Sequence, residues 1–382
     1  MRILSQHYGW NINLLATPKI SSENGVIRYI TGLFRKLVPR IDGLPQNYIG
    51  TIIYENGNSA QLIVPEQSGA QYNIQIHNQQ SVLGLHINSH RPVQNYQPIN
   101  SIPTSAIGAE QAYSSYFAEV MQKYQGSYSQ FSPTYRMKES IISMATFGPG
   151  NENVHGNPVL AKLFLDFKAI LAKVLPPTIG FRDISVRIPD VVLVTESGEF
   201  VIDAASGGLM SIIDLSWQIF LFSQNKDSFA VTIDEPENHL HPSMQRSILR
   251  RLSDAFPKAQ FIVVTHSPFV VSSVKDSAVY ALKYMEDVSI ESSDFAKNQV
   301  SSIRLDLDTK ASTANEILRD VLGVPVTLPE WAESDLRKIT AEFSNKPITE
   351  QNIYALREAL AEAGLSEYLP DALKVIASQI ND

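Results

Sequence analysis

The chain has 382 residues, 44% of them hydrophobic and 18% charged, with a formal net charge of −8. That balance belongs to a folded protein of two or three modules and excludes a general electrostatic pull toward nucleic acid or acidic membrane. There is no cysteine, which excludes disulfides, zinc–thiolate centres and cysteine nucleophiles.

The first ten residues, MRILSQHYGW, hold no apolar core of signal-peptide length, and no later stretch stays apolar long enough to span a bilayer. The expected location is the cytoplasm, with no membrane partner. Ile27 to Leu37 has helical periodicity. Arg35, Lys36 and Arg40 nearby, like Arg246, Arg250 and Arg251 later, read as solvated helix faces, so net charge gives DNA binding no support. Tyr48 to Val64 reads as a β-hairpin around Glu55-Asn56-Gly57-Asn58, with Asn-Gly supplying positive φ angles. Asn73 to His77 and Val82 to Ile87 read as short strands, and the proline-containing stretch from Pro92 to Ser105 as a loop or module boundary.

From Ala109 to Leu175 the pattern is helical, interrupted by FGPGNENVHGNP at 147–158. The aromatic residues Tyr113, Tyr116 and Phe117 have the spacing of a core-facing stripe. Strands are expected at Asp183 to Leu193 and Glu199 to Ile202, turning at Glu196-Ser197-Gly198. Ala205-Ser206-Gly207-Gly208 then leads into an apolar helix from Leu209 to Ser223. A buried strand follows and ends in Asp234-Glu235-Pro236; then a helix from Ser243 to Phe256, and a second buried strand, QFIVVT, ending in Thr265-His266-Ser267-Pro268. Such β-α-β alternation favours a largely parallel sheet. Residues 312–381 read as four helices, one running from Thr349 to Gly364 with Ile353, Leu356 and Leu360 on one stripe.

Three short segments carry the chemistry. Two acids delivered at the C-terminal end of a buried strand stand at the ligand-binding rim of an open α/β sheet. In phosphoryl transfer one carboxylate at such a rim holds Mg²⁺ and a second group orients water, the jobs that suit Asp234 and Glu235. The plainer reading is that acids simply favour a helix N-terminus. Ser206-Gly207-Gly208 at the mouth of a helix offers backbone amides and a hydroxyl to a phosphate, or else is only an N-cap turn. His266, just past a neighbouring strand, can contact a γ-phosphate, or else is satisfied locally. Their order, each at an element end, points to an ATPase site.

The segment from Asp203 to Ala281 resembles the C-terminal half of an ABC-type ATPase domain, closest to the soluble branch of SMC-like, OLD-like and related AAA-type ATPases of prokaryotic defence and DNA repair. The continuation Glu237-Asn238-His239-Leu240-His241-Pro242 is in the style of that branch and unlike a transporter. The resemblance implies an α/β fold: an ABC-type, P-loop NTPase-like mixed or parallel sheet with a helical subdomain and a C-terminal helical appendage. It implies a β-rich part of the ATPase lobe over 1–104, a helical subdomain over 105–180, the ATPase core over 181–290 and the appendage over 291–382. It further implies that Ser206, Gly207 and Gly208 form a signature loop reaching ATP held by a second protomer. Asp234 belongs to Walker B and holds Mg²⁺ through water, Glu235 polarises the attacking water, and His266 is the switch histidine. The expected partners are a second copy or another ATPase, and an effector protein on the helical parts.

One family element is missing: these 382 residues contain no G-x-x-x-x-G-K-[ST] loop, the loop that cradles the phosphates. In the family it precedes a hairpin like that at 48–64, so the expectation is a truncated, split or degenerate member. The leading reading is an ATP-hydrolysing head-to-head dimer. The alternative is a non-hydrolysing regulatory or scaffold subunit lending its signature loop to a partner ATPase. A nuclease centre at Asp306 and Asp308 lacks an accompanying glutamate motif, and alternating Asp and Leu reads as a half-exposed strand. His239 and His241, without an acid or cysteine beside them, read as a structural turn.

Overall fold

The structure, a computed structural model, describes residues 2–10, 14–15, 18–20, 27–29, 48–64, 71–91, 95–153, 155–285, 299–306, 313–321, 330–344, 347, 349–370, 372–373 and 376. It divides into two compact units, residues 1–277 with 285–299, and residues 278–284 with 300–382.

In the first unit, β1 (Tyr48–Ile53) and β2 (Ser59–Ile63) form the expected antiparallel hairpin, and β3 (Gln75–His77) pairs with β2. Its turn works differently from expectation. Gly57 alone takes positive φ, at 80°, which a Cβ-bearing residue resists. Asn56 instead accepts the Asn58 amide at 3.0 Å and donates to Gln80 at 2.8 Å. Ile27–Tyr29 is a strand paired with Pro18–Ile20, not the start of a helix. The rest of that expected helix, including Arg35 and Lys36, and Arg40 beyond it, lies outside the described residues.

After β4 (Gly84–Ile87) come three helices: α1 (Ala109–Tyr124), α2 (Pro133–Phe147) and α3 (Pro158–Val174). Ser132 caps α2 and Asn157 caps α3, each with proline at the first helical position, where its missing N–H costs nothing. The expected strand over 183–193 is two strands, β5 (Phe181–Arg187) and β6 (Asp190–Thr195), folded back around Ile188-Pro189, with β7 (Gly198–Val201) completing an antiparallel meander. Proline cannot donate to a ladder, so it marks the bend. Then follow α4 (Gly207–Ser223), β8 (Phe229–Asp234), α5 (Pro242–Gln245), α6 (Ile248–Ala255), β9 (Ala259–Val264) and α7 (Pro268–Val271). The single helix expected from Ser243 to Phe256 is thus broken at Arg246-Ser247, where the Ser247 hydroxyl donates to the Met244 carbonyl at 3.3 Å. Serine competes for backbone groups in this way.

Strands β4, β8 and β9 form one parallel sheet with β8 in the centre. Five of the six residues of β8 are buried, as expected for a parallel strand covered on both faces. His86 lies opposite Thr232 and shares a 2.9 Å hydrogen bond with its hydroxyl. Burial pushes its imidazole down to about 4, so it is neutral in the folded protein near pH 7.

Helix α4 is the centre of the core, with every residue from Gly208 to Leu221 buried. Mostly apolar, with Ser211, Asp214, Ser216 and Gln218 as its buried polar residues, it lies in the interior. Trp217 meets Phe167 of α3 edge-on at 4.8 Å, and Tyr116 of α1, 1% exposed, belongs to the same cluster.

A buried cation holds the approach to α4. Lys138 of α2 is fully enclosed. Its ammonium lies 2.5 Å from Asp203 Oδ2, 3.4 Å from Asp190 Oδ1 and 2.6 Å from the Gln97 carbonyl. Tyr96 closes the cage by donating to Asp190 at 3.1 Å. Burial raises the Asp203 carboxyl against the opposing pull of Lys138.

In the second unit, β10 (Tyr280–Met285) pairs with β11 (Gln299–Arg304), apart from strand-end residues Met285 and Gln299, which belong to the first unit. Helices α8 (Glu330–Ser344) and α9 (Glu350–Glu362) enclose a small core in which Leu356 and Leu360 are buried with Ala332 and Phe343. Two of the three stripe residues therefore pack within the helical unit, Ile353 being half-buried. Gly364, at φ 71°, follows α9 as expected. Of the four helices expected over 312–381, α8 and α9 are long, and one-turn helices stand at Ala314–Glu316 and Ser366–Tyr368. No helix of the described residues is long and apolar enough to cross a membrane.

Removing one partner of a buried ion pair costs about 3–5 kcal/mol, because a buried charge is left uncompensated. Lys138→Met is therefore expected to lower unfolding free energy by about that amount in urea titration followed by tryptophan fluorescence, with Lys138→Met/Asp203→Asn recovering part of the loss.

Candidate site at the sheet rim

The C-terminal ends of β4, β8 and β9 face one way because the three strands are parallel. Asp234 lies opposite Val264, so the acid pair and Thr265-His266 emerge side by side. Asp234 and Glu235 are half-buried and His266 is exposed. The Glu235 amide donates to the Val264 carbonyl at 2.9 Å, carrying the ladder one residue past the strand.

The chain then turns sharply. Glu235 has φ 48° and His239 φ 68°, left-handed values that cost non-glycine residues about 1–2 kcal/mol each. Strain of this kind persists only where the surroundings impose it. Here Arg91, from the segment after β4, reaches under the turn and donates to the Glu235 and Asn238 carbonyls, each at 3.4 Å. Asn238 Nδ2 donates to Glu235 Oε2 at 2.9 Å and to the Ser89 carbonyl at 3.1 Å. Glu237 Oε1 accepts the His266 backbone amide at 2.9 Å, fixing the start of the segment after β9 to the acid turn. Burial lowers the Arg91 guanidinium from its ordinary value, opposed by the charges of Asp214 and Glu237. These two acids are its counter-charges.

The turn also abuts the start of α4. The Ser211 hydroxyl donates to the Asn238 carbonyl at 3.2 Å. A Cβ on Gly208 would lie 2.8 Å from the His239 carbonyl, closer than any side chain tolerates, so glycine is required for this approach. Ser206 and Gly207 remain exposed. Ser206 Oγ accepts the Leu209 amide at 3.4 Å, the N-cap of α4. The capping reading of Ser206 is therefore met by this bond.

The three segments singled out in the sequence therefore share one end of the unit: the acids and His266 side by side on the rim, and the Ser206–Gly208 loop packed against the turn that follows the acids. Sequence reasoning missed Arg91, Asn238, Glu237, Ser211 and Asp214. Only the ENH wording after the acids signalled any of them. His241 caps α5 by accepting the Ser243 amide at 3.3 Å. Arg251 spends its charge on the Leu175 and Lys173 carbonyls at 3.1 and 3.3 Å. Asp306 lies beyond β11, and Asp308 outside the described residues.

A family profile described as "AAA domain, putative AbiEii toxin, Type IV TA system" matches residues 192–272, from β6 through α7. The chain is similar to Septu protein PtuA of Bacillus thuringiensis, 28% identical over 198 residues, or 49% of this chain and 47% of that protein. It is also similar to the Retron Vc95 probable ATPase of Vibrio cholerae serotype O1 biovar El Tor, 34% identical over 79 residues, or 20% of this chain and 15% of that one. The chain thus spans about half the length of the first relative and less of the second. A solved structure from work on ATP-driven dimerization and DNA-stimulated activation of SMC ATPases aligns with 44% of this chain and 93% of its own, at 14% identity and a TM-score of 0.32.

Burial raises Asp214 on α4 from 3.8 to about 6, although Arg91 and Gln218 pull it down. The folded protein holds this proton more tightly than the unfolded chain does. Its contribution to stability is therefore complete below the unfolded value and is lost as pH rises through the folded one. Asp214→Asn is expected to gain thermal midpoint relative to the natural chain as pH rises from about 4 to about 6.5, and to level off above, in scans at constant ionic strength.

Proposed function

We propose that the chain, which matches an AAA domain profile over residues 192–272 and is similar to Septu protein PtuA and a retron probable ATPase, binds and hydrolyses ATP at the rim of the β4–β8–β9 sheet, as a head-to-head dimer. The observation that carries this reading is the adjacency of Asp234-Glu235 and Thr265-His266 at the ends of paired parallel strands. An exposed Ser206-Gly207 at a helix mouth stands beside them, as the signature loop that reaches a second protomer's nucleotide.

A hard divalent cation suits this rim. Mg²⁺ takes one or two carboxylates and keeps its other positions for water and phosphate oxygens, and Asp234 is half-exposed at a strand end. Asp234 would hold it, and bound there it supplies charge neutralisation for the phosphates. Glu235 accepts a proton from the attacking water and orients it, its carboxylate already held at one oxygen by Asn238. His266 extends toward the γ-phosphate and reports its departure through the amide that Glu237 holds. Opening of the dimer then changes how the helical parts engage an effector protein, within a defence or DNA-maintenance system.

A second reading is favoured by the sequence itself, which has no Gly-Lys-Ser/Thr triplet in its 382 residues. In that reading the chain does not hydrolyse ATP and lends Ser206–Gly208 to a partner ATPase.

Glu235→Gln separates the outcomes. General-base loss costs about 10²–10⁴-fold in rate, so turnover of Mg-ATP should fall by that factor while ATP binding and an ATP-dependent dimer persist in size-exclusion runs. Unchanged turnover in Glu235→Gln would overturn the hydrolytic role. Micromolar ATP affinity of the isolated chain would overturn the second reading.

A further inference from the structure

Asn238 occupies a position that neither ATP nor Mg²⁺ chemistry by itself requires. Its side-chain amide nitrogen donates to Glu235 Oε2 at 2.9 Å and to the Ser89 carbonyl at 3.1 Å. Its backbone carbonyl accepts from Ser211 on the first turns of α4 at 3.2 Å and from Arg91 at 3.4 Å. Its backbone amide donates to the Glu235 carbonyl at 3.2 Å. One residue therefore touches the end of β4, the acid at the end of β8 and the helix that begins with the Ser206–Gly208 loop.

We propose that Asn238 is a positioning residue that orients the Glu235 carboxylate and ties it to the first turns of α4. The inference rests on Glu235 being the base. A carboxylate has two oxygens, and the amide occupies Oε2, leaving Oε1 to address water. Free rotation about the last side-chain bond, ordinarily broad for glutamate, is thereby restricted. Because the carbonyl of the same residue is bonded to Ser211, displacement of α4 in one protomer displaces the acid of that protomer. His239, next along, adds the close backbone approach to Gly208.

The alternative is that Asn238 matters only for the shape of the turn. Asn238→Asp preserves that shape, loses both donated bonds and sets a second carboxylate against Glu235. It should lower the thermal midpoint near pH 7. In Asn238→Asp/Glu235→Gln the new glutamine amide can donate to the new aspartate, so the midpoint should return toward that of Glu235→Gln alone. A role confined to the Ser89 carbonyl or to turn shape gives no such recovery. In Mg-ATP turnover, Asn238→Ala should lower kcat about 10-fold or more with KM for ATP unchanged, as expected for a misplaced reacting group. In the Glu235→Gln background it should add nothing further.

Absence of midpoint recovery would overturn the proposal. So would full kcat in Asn238→Ala where Glu235→Gln abolishes turnover, and in that case the hydrolytic reading survives. Where the natural chain does not turn over, or Glu235→Gln leaves turnover intact, the base assignment itself fails. The midpoint cycle then decides alone whether Asn238 holds this carboxylate.

Discussion

A guanidinium placed under a strained turn is the constraint on which the site depends. The segment from Glu235 to Leu240 carries two left-handed residues, and without support it would relax to a more open connection. Arg91 prevents this by bonding two of its carbonyls, and planar, fixed-fork geometry suits arginine to that task better than lysine. The cation in turn needs buried counter-charge. It has Asp214 in α4 and Glu237 in the turn itself. The strand end, the turn and the central helix are thus joined through the Arg91 bonds to the turn and the Ser211 hydroxyl on the Asn238 carbonyl.

The same logic operates at the other end of the loop. Asp203, three residues before Ser206, is gripped by Lys138 from α2. The loop that opens α4 is therefore fixed from behind by an ion cluster and from beside by the acid turn. Neither arrangement is economical as a source of stability, since apolar residues of similar volume often fill such places at no loss. What a buried charge does provide is a single acceptable geometry.

The sequence made the elements legible where chemistry is local. Apolar runs ending in Asp234-Glu235 and Thr265-His266 announced two strands, and these are neighbours in one parallel sheet, although only the first is buried and Gln260, Ile262 and Val264 of the second are exposed. Asn-Gly announced the first hairpin. What stayed hidden is non-local. Arg91 acts on residues 144 and 147 positions away, and Lys138 on a carboxylate 65 positions away. No periodicity carries such pairings. Errors of the other kind came from reading a pattern past its interruption: Pro189 folds one expected strand into two, and Ser247 divides one expected helix. At Ile27–Tyr29, helical spacing in the chain is overridden by pairing with Pro18–Ile20, a case of context defeating propensity.

The left-handed backbone at Glu235 has a consequence for what the position accepts. With φ at 48°, β-branched and bulky residues are strongly disfavoured there, whereas asparagine, aspartate and glycine tolerate it best. Local preference therefore argues against glutamate at this point, and the residue occupies it only because Arg91, Asn238 and the Val264 carbonyl over-determine the conformation. A position that spends stability to hold a longer carboxylate, when a shorter side chain would sit more easily, is one where reach matters.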